Sequence, residues 1–153
     1  MILSGNKEIS KDYIEGIDML TNMRICSNVP AQSIVQTALG GHQSVNDYLV
    51  PGGRLYEQRE YIYEALNAID GISAVKPKAA FYIFPKINTK KFNIHNDEQF
   101  ALDLLHDEKL LIVQGTGFNW KDPDHFRVVY LPRVEVLKGA VEKMTNFFSY
   151  YRQ

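Results

Sequence analysis

The sequence contains a single cysteine, Cys26, which excludes an internal disulfide and any zinc site built on several cysteines. A lone thiol fits a reducing compartment, so we expect a cytoplasmic protein. No apolar run approaches the roughly 18 residues of a transmembrane helix, so no membrane partner is expected. Basic residues are not in excess, because 17 Lys and Arg face 18 Asp and Glu. Nucleic-acid binders need a basic excess, so no nucleic-acid partner is expected.

What is present is a chain of 153 residues, 45% hydrophobic, which is long enough for one domain with a sizeable core. Its first third has helical patterning. Apolar residues recur at helical spacing from Tyr13 to Leu20, and a second helix is predicted from the cap residue Asn28 to Gly40. Two amphipathic helices without a sheet leave an apolar face that needs a partner. Residues 1–50 are therefore interpreted as the end of another structural unit.

The remaining two thirds alternate between helix and strand patterns. A helix is predicted from Arg54 to Gly71, and Asn96 followed by Gln99 resembles a capping box that opens another. A last helix begins at Val134. Short apolar and aromatic runs predict three buried strands, at residues 79–84, 110–113 and 126–131. This order predicts an α+β fold of layered helices and a short sheet.

Arg127 is the most informative side chain, because it lies within the apolar strand pattern of residues 126–131. A guanidinium cannot lose its proton, so burial there requires an anionic partner. Its planar fork matches a carboxylate in two parallel hydrogen bonds. An internal Asp or Glu is one such partner, and an outward-reaching side chain at an edge is a second possibility. Spacing alone favours these two interpretations over capture of a ligand.

A glycine-rich loop follows the predicted strand at residues 110–113, as phosphate-binding loops follow strands. It lacks the third glycine of a dinucleotide fingerprint and the Gly-Lys-Ser/Thr of a P-loop, so a plain turn is favoured. No ligand spacing for a metal is recognised, and Asp122, Asp124 and His125 are expected to be solvated. The loop consists of Gly115, Thr116, Gly117, Phe118 and Asn119.

Several segments in a fixed order resemble the C-terminal portion of class I/II aminotransferases, which are pyridoxal-phosphate enzymes of fold type I. Within that family the likeness is to the bacterial glutamate–pyruvate (alanine) aminotransferases, and it extends over essentially the whole chain. The segments are Tyr13-Ile-Glu-Gly16, Ser27-Asn-Val-Pro-Ala-Gln32, Gln36-Thr-Ala-Leu-Gly-Gly41, Pro51-Gly-Gly-Arg-Leu-Tyr-Glu-Gln-Arg59, Lys76-Pro-Lys-Ala-Ala-Phe-Tyr82, Val113-Gln-Gly-Thr-Gly-Phe-Asn119 and Phe126-Arg-Val-Val-Tyr-Leu-Pro132.

The resemblance implies a fold, a site and a reaction. It places the family's α-carboxylate-binding arginine on Arg127 and the loop 115–119 at the mouth of the site. It makes residues 1–50 a helical remnant of the large cofactor domain, residues 51–70 a connecting helix and residues 71–153 the small domain, with a short mixed sheet covered by helices. The parent enzyme would exchange an amino group between alanine or glutamate and a 2-oxo acid, and it would be a homodimer.

The resemblance also implies what is missing. The family holds pyridoxal phosphate on the lysine of a Ser-x-x-Lys motif, followed by a phosphate-binding arginine. Ser4-Gly-Asn-Lys7 matches the first element only, since Glu15 and Gly16 occupy the place of that arginine and its neighbour. Met1-Ile-Leu3 resembles a strand that follows these family motifs. No catalytic residue is therefore assigned, and these residues alone are expected to bind no pyridoxal phosphate and to be inactive.

A second hypothesis comes from a different class of protein. The chain would then be a non-catalytic module that binds a carboxylate or associates with itself through the helices of residues 1–50. Selectivity among amino-acid substrates, such as aspartate or an aromatic amino acid, is not predicted by these residues.

Overall fold

The computed structural model describes residues 6–153. The chain forms two compact units, Met1–Gln43 and Ser44–Gln153. The expectations for the first tripeptide and for Ser4 lie outside the described residues. The three domain ranges expected from the resemblance, 1–50, 51–70 and 71–153, stay predictions.

The first unit contains two helices, α1 (Lys11–Asn22) and α2 (Val29–Gly40), as the apolar spacing predicts. The Asn28 side chain accepts a hydrogen bond from the Ala31 N–H at 3.1 Å, which confirms it as the cap of α2. No residue of either helix is buried.

The second unit holds the sheet and the core. A short 3-10 helix, Ser44–Tyr48, comes before α3 (Arg54–Asn67), and a second, Gly115–Phe118, follows the strand at residues 113–114. The other helices are α4 (Thr89–Phe92), α5 (Asp97–Glu108) and α6 (Val134–Tyr150). The strands are β1 (Ile72–Ser73), β2 (Tyr82–Ile83), β3 (Lys86–Ile87), β4 (Val113–Gln114) and β5 (Phe126–Val129).

The strands form two small sheets. In the three-stranded sheet β5 is the central strand between β2 and β4, and in the two-stranded sheet β1 pairs with β3. Every pairing among the described strands is antiparallel, so the expected mixed sheet is corrected to an antiparallel one. The broader expectation of an α+β fold with a short sheet and covering helices is confirmed.

Three helices and the central strand build the core. Ile62 and Leu66 of α3 are fully buried, as are Phe100 of α5, Phe126 of β5 and Phe147 of α6. The Phe100 ring lies 5.8 Å from that of Phe126 and 6.0 Å from that of Phe147, centroid to centroid. This core fixes the inward face of β5, so the residues between its buried side chains point to the opposite face.

The predicted strand at residues 79–84 is shorter in the structure, where only β2 pairs with a neighbour. Ala80 has a φ of +58°, in the left-handed region, which interrupts the extended chain. The Tyr130 hydroxyl donates to the Ala80 carbonyl at 2.9 Å, and the Tyr130 N–H donates to the Phe81 carbonyl at 3.1 Å. These bonds hold a bend where the apolar run predicts a strand.

The predicted strand at residues 110–113 is also displaced, because pairing begins only at Val113. None of the described helices is both long and apolar enough to cross a membrane.

Candidate functional site

Arg127 lies on β5, the central strand of the three-stranded sheet. Its Cα pairs with that of Val113 on β4, and Val129 two residues later pairs with Tyr82 on β2. Phe126 and Tyr130, on the other face of the strand, are buried at 0% and 1% exposure. The alternation of strand side chains therefore directs Arg127 away from the core, where it is half-buried.

Two aromatic rings enclose the guanidinium of Arg127. Its central carbon lies 4.3 Å from the centroid of the Phe118 ring and 4.8 Å from that of the Tyr82 ring. Such contacts attract a cation to the ring faces and restrict its orientation. They offer no hydrogen-bond acceptors in the plane of the fork, so these rings leave the hydrogen-bond donors of the guanidinium unsatisfied.

The charge of Arg127 has no internal counter-ion in the part of the chain that the structure describes. None of the salt bridges formed by residues 6–153 includes it. Its Nε atom is buried and has no hydrogen-bond partner among these residues. The internal ion pair that spacing favours is therefore absent from the described residues, and the fork is left with donors that a carboxylate would satisfy.

The glycine-rich loop is ordered by a buried carboxylate. Asp97, at the first turn of α5, is 3% exposed and accepts from the Thr116 N–H at 2.9 Å and from the Thr116 hydroxyl at 2.7 Å. The loop forms a 3-10 helix that ends with Asn119 in the left-handed region, at a φ of +58°. These constraints place Phe118 against Arg127.

The start of the loop is packed against the residues before β5. The Gly115 N–H donates to the His125 carbonyl at 2.8 Å. A Cβ atom at Gly115 would lie 2.8 Å from that same carbonyl oxygen, closer than real Cβ contacts allow. Glycine is therefore required at position 115 for this close approach, which goes beyond the plain turn predicted from the sequence.

The sequence predicts that Asp124 and His125 are solvated, but the side chains of the two residues are only 15% and 13% exposed. The Asp124 carboxylate accepts from His125 Nδ1 at 2.5 Å and from the Trp120 indole N–H at 2.9 Å, and it pairs with Lys86 at 3.2 Å. Burial alone would raise the pKa of Asp124, but these three donors outweigh it and lower that pKa below its usual value. Asp122 is exposed, as expected.

The lysines among residues 6–153 lie at or near the surface. Each is exposed except Lys91, which is partly buried and paired with Asp70. Lys7 lies in an exposed turn of the first unit, and nothing there desolvates its amine. Residues 6–153 also bring together no group of three or more His, Cys, Asp or Glu that could hold a metal ion.

The sequence draws attention to Arg127 and the loop 115–119 but not to the residues that hold them in place. Asp97 directly follows the predicted helix cap, and its role as an acceptor depends on a loop 19 residues away. Tyr82 belongs to a predicted strand, and no local pattern places its ring beside Arg127. The opposite charges of Lys86 and of the acidic residues in the loop 122–124 indicate only weakly that Lys86 and Asp124 form an ion pair.

The likeness to known proteins extends over the whole chain. The chain is 58% identical over 153 residues to the glutamate–pyruvate aminotransferase AlaA of Haemophilus influenzae, and it spans 38% of the length of that protein. An aminotransferase structure from Escherichia coli superposes with a TM-score of 0.87 at 55% identity, covering 100% of this chain and 38% of that one. An alanine aminotransferase from Pyrococcus furiosus gives 0.74 at 41% identity, covering 88% and 33%. No family model matches the chain.

These likenesses identify the chain as a C-terminal portion of a fold-type I aminotransferase. Within that family it groups with proteins named glutamate–pyruvate or alanine aminotransferases, at 52% to 58% identity. It spans less than two fifths of the length of these relatives, 38% for the first of them.

Proposed function

We propose that this chain supplies the carboxylate-binding wall of an alanine-type aminotransferase. The whole enzyme would transfer an amino group between alanine or glutamate and a 2-oxo acid, as the names of its relatives indicate for those proteins. It would do so as a cytoplasmic homodimer. The observation that carries the proposal is the unpaired fork of Arg127, half-buried between two aromatic rings.

The part of the reaction assigned to these residues is binding and orientation. Arg127 would receive the α-carboxylate of the substrate in two parallel hydrogen bonds, which fixes both the position and the plane of that group. The rings of Tyr82 and Phe118 limit rotation of the guanidinium, so less freedom is lost when the substrate binds. An oriented carboxylate holds the adjacent α-carbon in one place, which is the positional contribution to catalysis.

The cofactor would belong to other parts of the whole enzyme. Pyridoxal phosphate needs a lysine and a phosphate-binding group, and the described lysines do not offer a suitable setting. We therefore expect the 153-residue chain alone to form no lysine adduct and to transfer no amino group. Borohydride treatment after incubation with pyridoxal phosphate tests this expectation by mass spectrometry, and a stoichiometric reduced adduct on one lysine would contradict it.

Binding of a simple carboxylate tests the proposed role of Arg127 directly. Propionate, titrated into the 153-residue chain, should shift the Nε–H resonance of Arg127 in 15N–1H NMR spectra, whereas the neutral isostere propionamide should not. Arg127→Met keeps an unbranched apolar stem but removes the charged donors. Since a charged hydrogen bond contributes about 1.5–3 kcal/mol, its affinity for propionate should fall at least about tenfold.

Arg133→Met is a suitable control, because this exposed arginine directly precedes α6 and has no aromatic ring of residues 6–153 within cation–π distance. It should bind propionate as the native chain does. Equal binding of propionate and propionamide, or an Arg127→Met chain that still binds propionate as tightly, would refute the proposed site.

The helices of the first unit favour a second candidate function, self-association. No residue of α1 or α2 is buried, and large apolar side chains such as Leu20, Ile34 and Leu39 are at least 61% exposed. Apolar surface of this kind marks an interaction site in a stable protein. Sedimentation velocity over a hundredfold dilution series tests this function: it predicts a concentration-dependent dimer, and a monomer at the highest concentration would exclude it.

A further inference from the structure

Behind the glycine-rich loop lies a group of side chains to which neither the family resemblance nor the proposed function gives a role. Its centre is His125, whose Nδ1 lies 2.5 Å from the Asp124 carboxylate. An ionised carboxylate only accepts hydrogen bonds, so Nδ1 carries the proton in this pair. Asp124 is itself held by Lys86 and by the indole of Trp120. The imidazole is therefore fixed in one orientation.

The fixed imidazole packs flat against Phe84. The two ring centroids are 4.9 Å apart and the planes are inclined by only 20°, which is a stacked arrangement. Trp120 packs on the same imidazole at 4.5 Å and meets the Phe84 ring edge-on at 5.6 Å. Three rings thus form a compact block next to the loop.

This block reaches Arg127 by two routes. The Phe84 ring meets the Phe118 ring edge-on at 6.4 Å, and Phe118 covers the guanidinium of Arg127 at 4.3 Å. The second route is the backbone, where the carbonyl of His125 accepts the N–H of Gly115 at the start of the same loop. Both routes end on the segment that carries Phe118.

We propose that His125 is a positioning residue for carboxylate binding: its flat ring, oriented by Asp124, supports Phe84 and Phe118 and so holds the guanidinium of Arg127 in its binding orientation. In this role His125 acts on the guanidinium through Phe84 and Phe118 and does not itself bind the carboxylate. This role deepens the proposed function and rests on it. It requires a planar ring at position 125.

A purely structural role for His125 makes a different prediction. Loss of the imidazole would then lower the free energy of unfolding and leave the surroundings of Arg127 unchanged. The ring current of Phe118 distinguishes the two roles, because a proton that close to an aromatic face has a shifted NMR resonance. The Nε–H resonance of Arg127 therefore reports directly on whether Phe118 still covers it.

The experiment compares two substitutions of similar volume in the 153-residue chain. His125→Phe keeps a flat ring against Phe84, whereas His125→Leu fills the space without one. Phe118→Leu defines the Arg127 resonance when no ring covers it. The matched control is His106→Leu, since His106 also has its Nδ1 near an adjacent aspartate, at 2.9 Å from Asp107, but is 86% exposed at the end of α5.

His125→Leu should move the Arg127 resonance at least halfway to its position in Phe118→Leu. Its propionate affinity should fall about three- to tenfold, the effect expected for loss of one aromatic pair. His125→Phe should stay within about twofold of the native affinity, and His106→Leu should not differ from it. If His125→Leu does not fold, Phe84→Leu removes the same stacking contact and is expected to give the same shift and loss.

A folded His125→Leu chain with the native Arg127 resonance and affinity would overturn the inference, as would a His125→Phe chain as defective as His125→Leu. Failure of the proposed function gives another result. In that case the native chain binds no propionate, yet the Arg127 resonance still shows whether His125 supports Phe118.

Discussion

The guanidinium of Arg127 is half-buried and contacts two aromatic rings, and these two surroundings alone rarely compensate a cation for the loss of water. Contacts with aromatic faces contribute about 2 kcal/mol or somewhat more when they are desolvated. That is less than the several kcal/mol that it costs to remove an ion from water, so the rings of Tyr82 and Phe118 do not fully compensate a half-buried guanidinium. A carboxylate that bonded the fork would supply the rest. The strength of this site therefore depends on how well the surrounding loop is held.

Gly115 offers a test of that dependence. Gly115→Ala would place a methyl group 2.8 Å from the backbone carbonyl oxygen of His125, which cannot move aside as a side-chain tip can. We expect a loss of about 1–3 kcal/mol in the free energy of unfolding, together with weaker propionate binding. Urea denaturation and the NMR titration measure the two effects.

Gly117→Ala is the matched control for Gly115→Ala. Its new methyl group would meet only the side chain of Gln114, at 3.5 Å, which is an ordinary contact. We expect a change below about 0.5 kcal/mol. Equal stability of the two alanine variants would show that the close approach of the loop to His125 is not essential.

At this scale the sequence predicts the unusual residue but not its neighbours. Arg127 is conspicuous because a charge interrupts an apolar run, and a local pattern suffices to find it. Asp124 and His125 were expected to be solvated because a loop with proline and several polar residues is usually exposed. Their partners Lys86 and Trp120 come from a strand and a loop, and only the tertiary fold brings them together.

At the scale of elements, the helix α5 connects the core to the loop. Asn96 accepts hydrogen bonds from the N–H groups of Glu98 at 2.9 Å and Gln99 at 3.0 Å, as the predicted cap requires. The reciprocal bond of a capping box is not made by Gln99, because the Gln153 side-chain oxygen accepts from the Asn96 N–H instead, at 2.8 Å. The same turn presents Asp97 to Thr116, so the cap also orients the loop.

Removal of this cap should destabilise the chain measurably. Asn96→Ala deletes the acceptor of both N–H groups and should cost about 0.5–2 kcal/mol of unfolding free energy. Asn96→Asp keeps an acceptor and adds a charge that the helix N-terminus favours, so it should cost less than about 0.5 kcal/mol. Thermal and urea unfolding provide the comparison, and an aspartate variant as unstable as the alanine variant would contradict the capping role.

Helices follow from the sequence more closely than strands in this protein. The starts of α5 and α6 are marked by a cap or an apolar period, and the structure has them where the pattern predicts. The strands are only two to four residues long, and their limits are set by their partners. The left-handed Ala80 shortens a predicted strand because Tyr130 binds its carbonyl, which is a tertiary contact that no local pattern contains.

Over the second unit as a whole, the C-terminal residues join distant elements. Gln153 donates its N–H to the Phe92 carbonyl at 3.1 Å, and its side-chain oxygen also accepts from the N–H of His95. Tyr151 is 7% exposed and stacks on Phe147 at 4.3 Å. Its hydroxyl donates to the Asp103 carboxylate of α5 at 2.7 Å, so this tyrosine connects the end of the chain to the helix that orders the loop.

This tyrosine should make the stability depend on pH in the alkaline range. Burial, together with the hydrogen bond to the Asp103 carboxylate, raises the pKa of Tyr151 well above its ordinary value of about 10. A raised pKa in the folded state means that folding favours the protonated hydroxyl. The stabilisation is therefore fully present below pH about 10 and is lost as the pH rises from there through the folded-state pKa.

Tyr151→Phe isolates this contribution. At pH 7 the variant should lose about 0.5–1.5 kcal/mol, the usual value of one hydrogen bond. Above pH about 10 the native chain loses the same advantage, because its hydroxyl must stay protonated in the folded state at increasing cost, so the two chains should converge in stability. Tyr13→Phe, at a position 69% exposed on α1, should match the native chain at every pH. Urea unfolding at pH 7, 9 and 11 measures the difference, and a difference that stays constant over that range would show that the Tyr151 hydroxyl does not link folding to protonation.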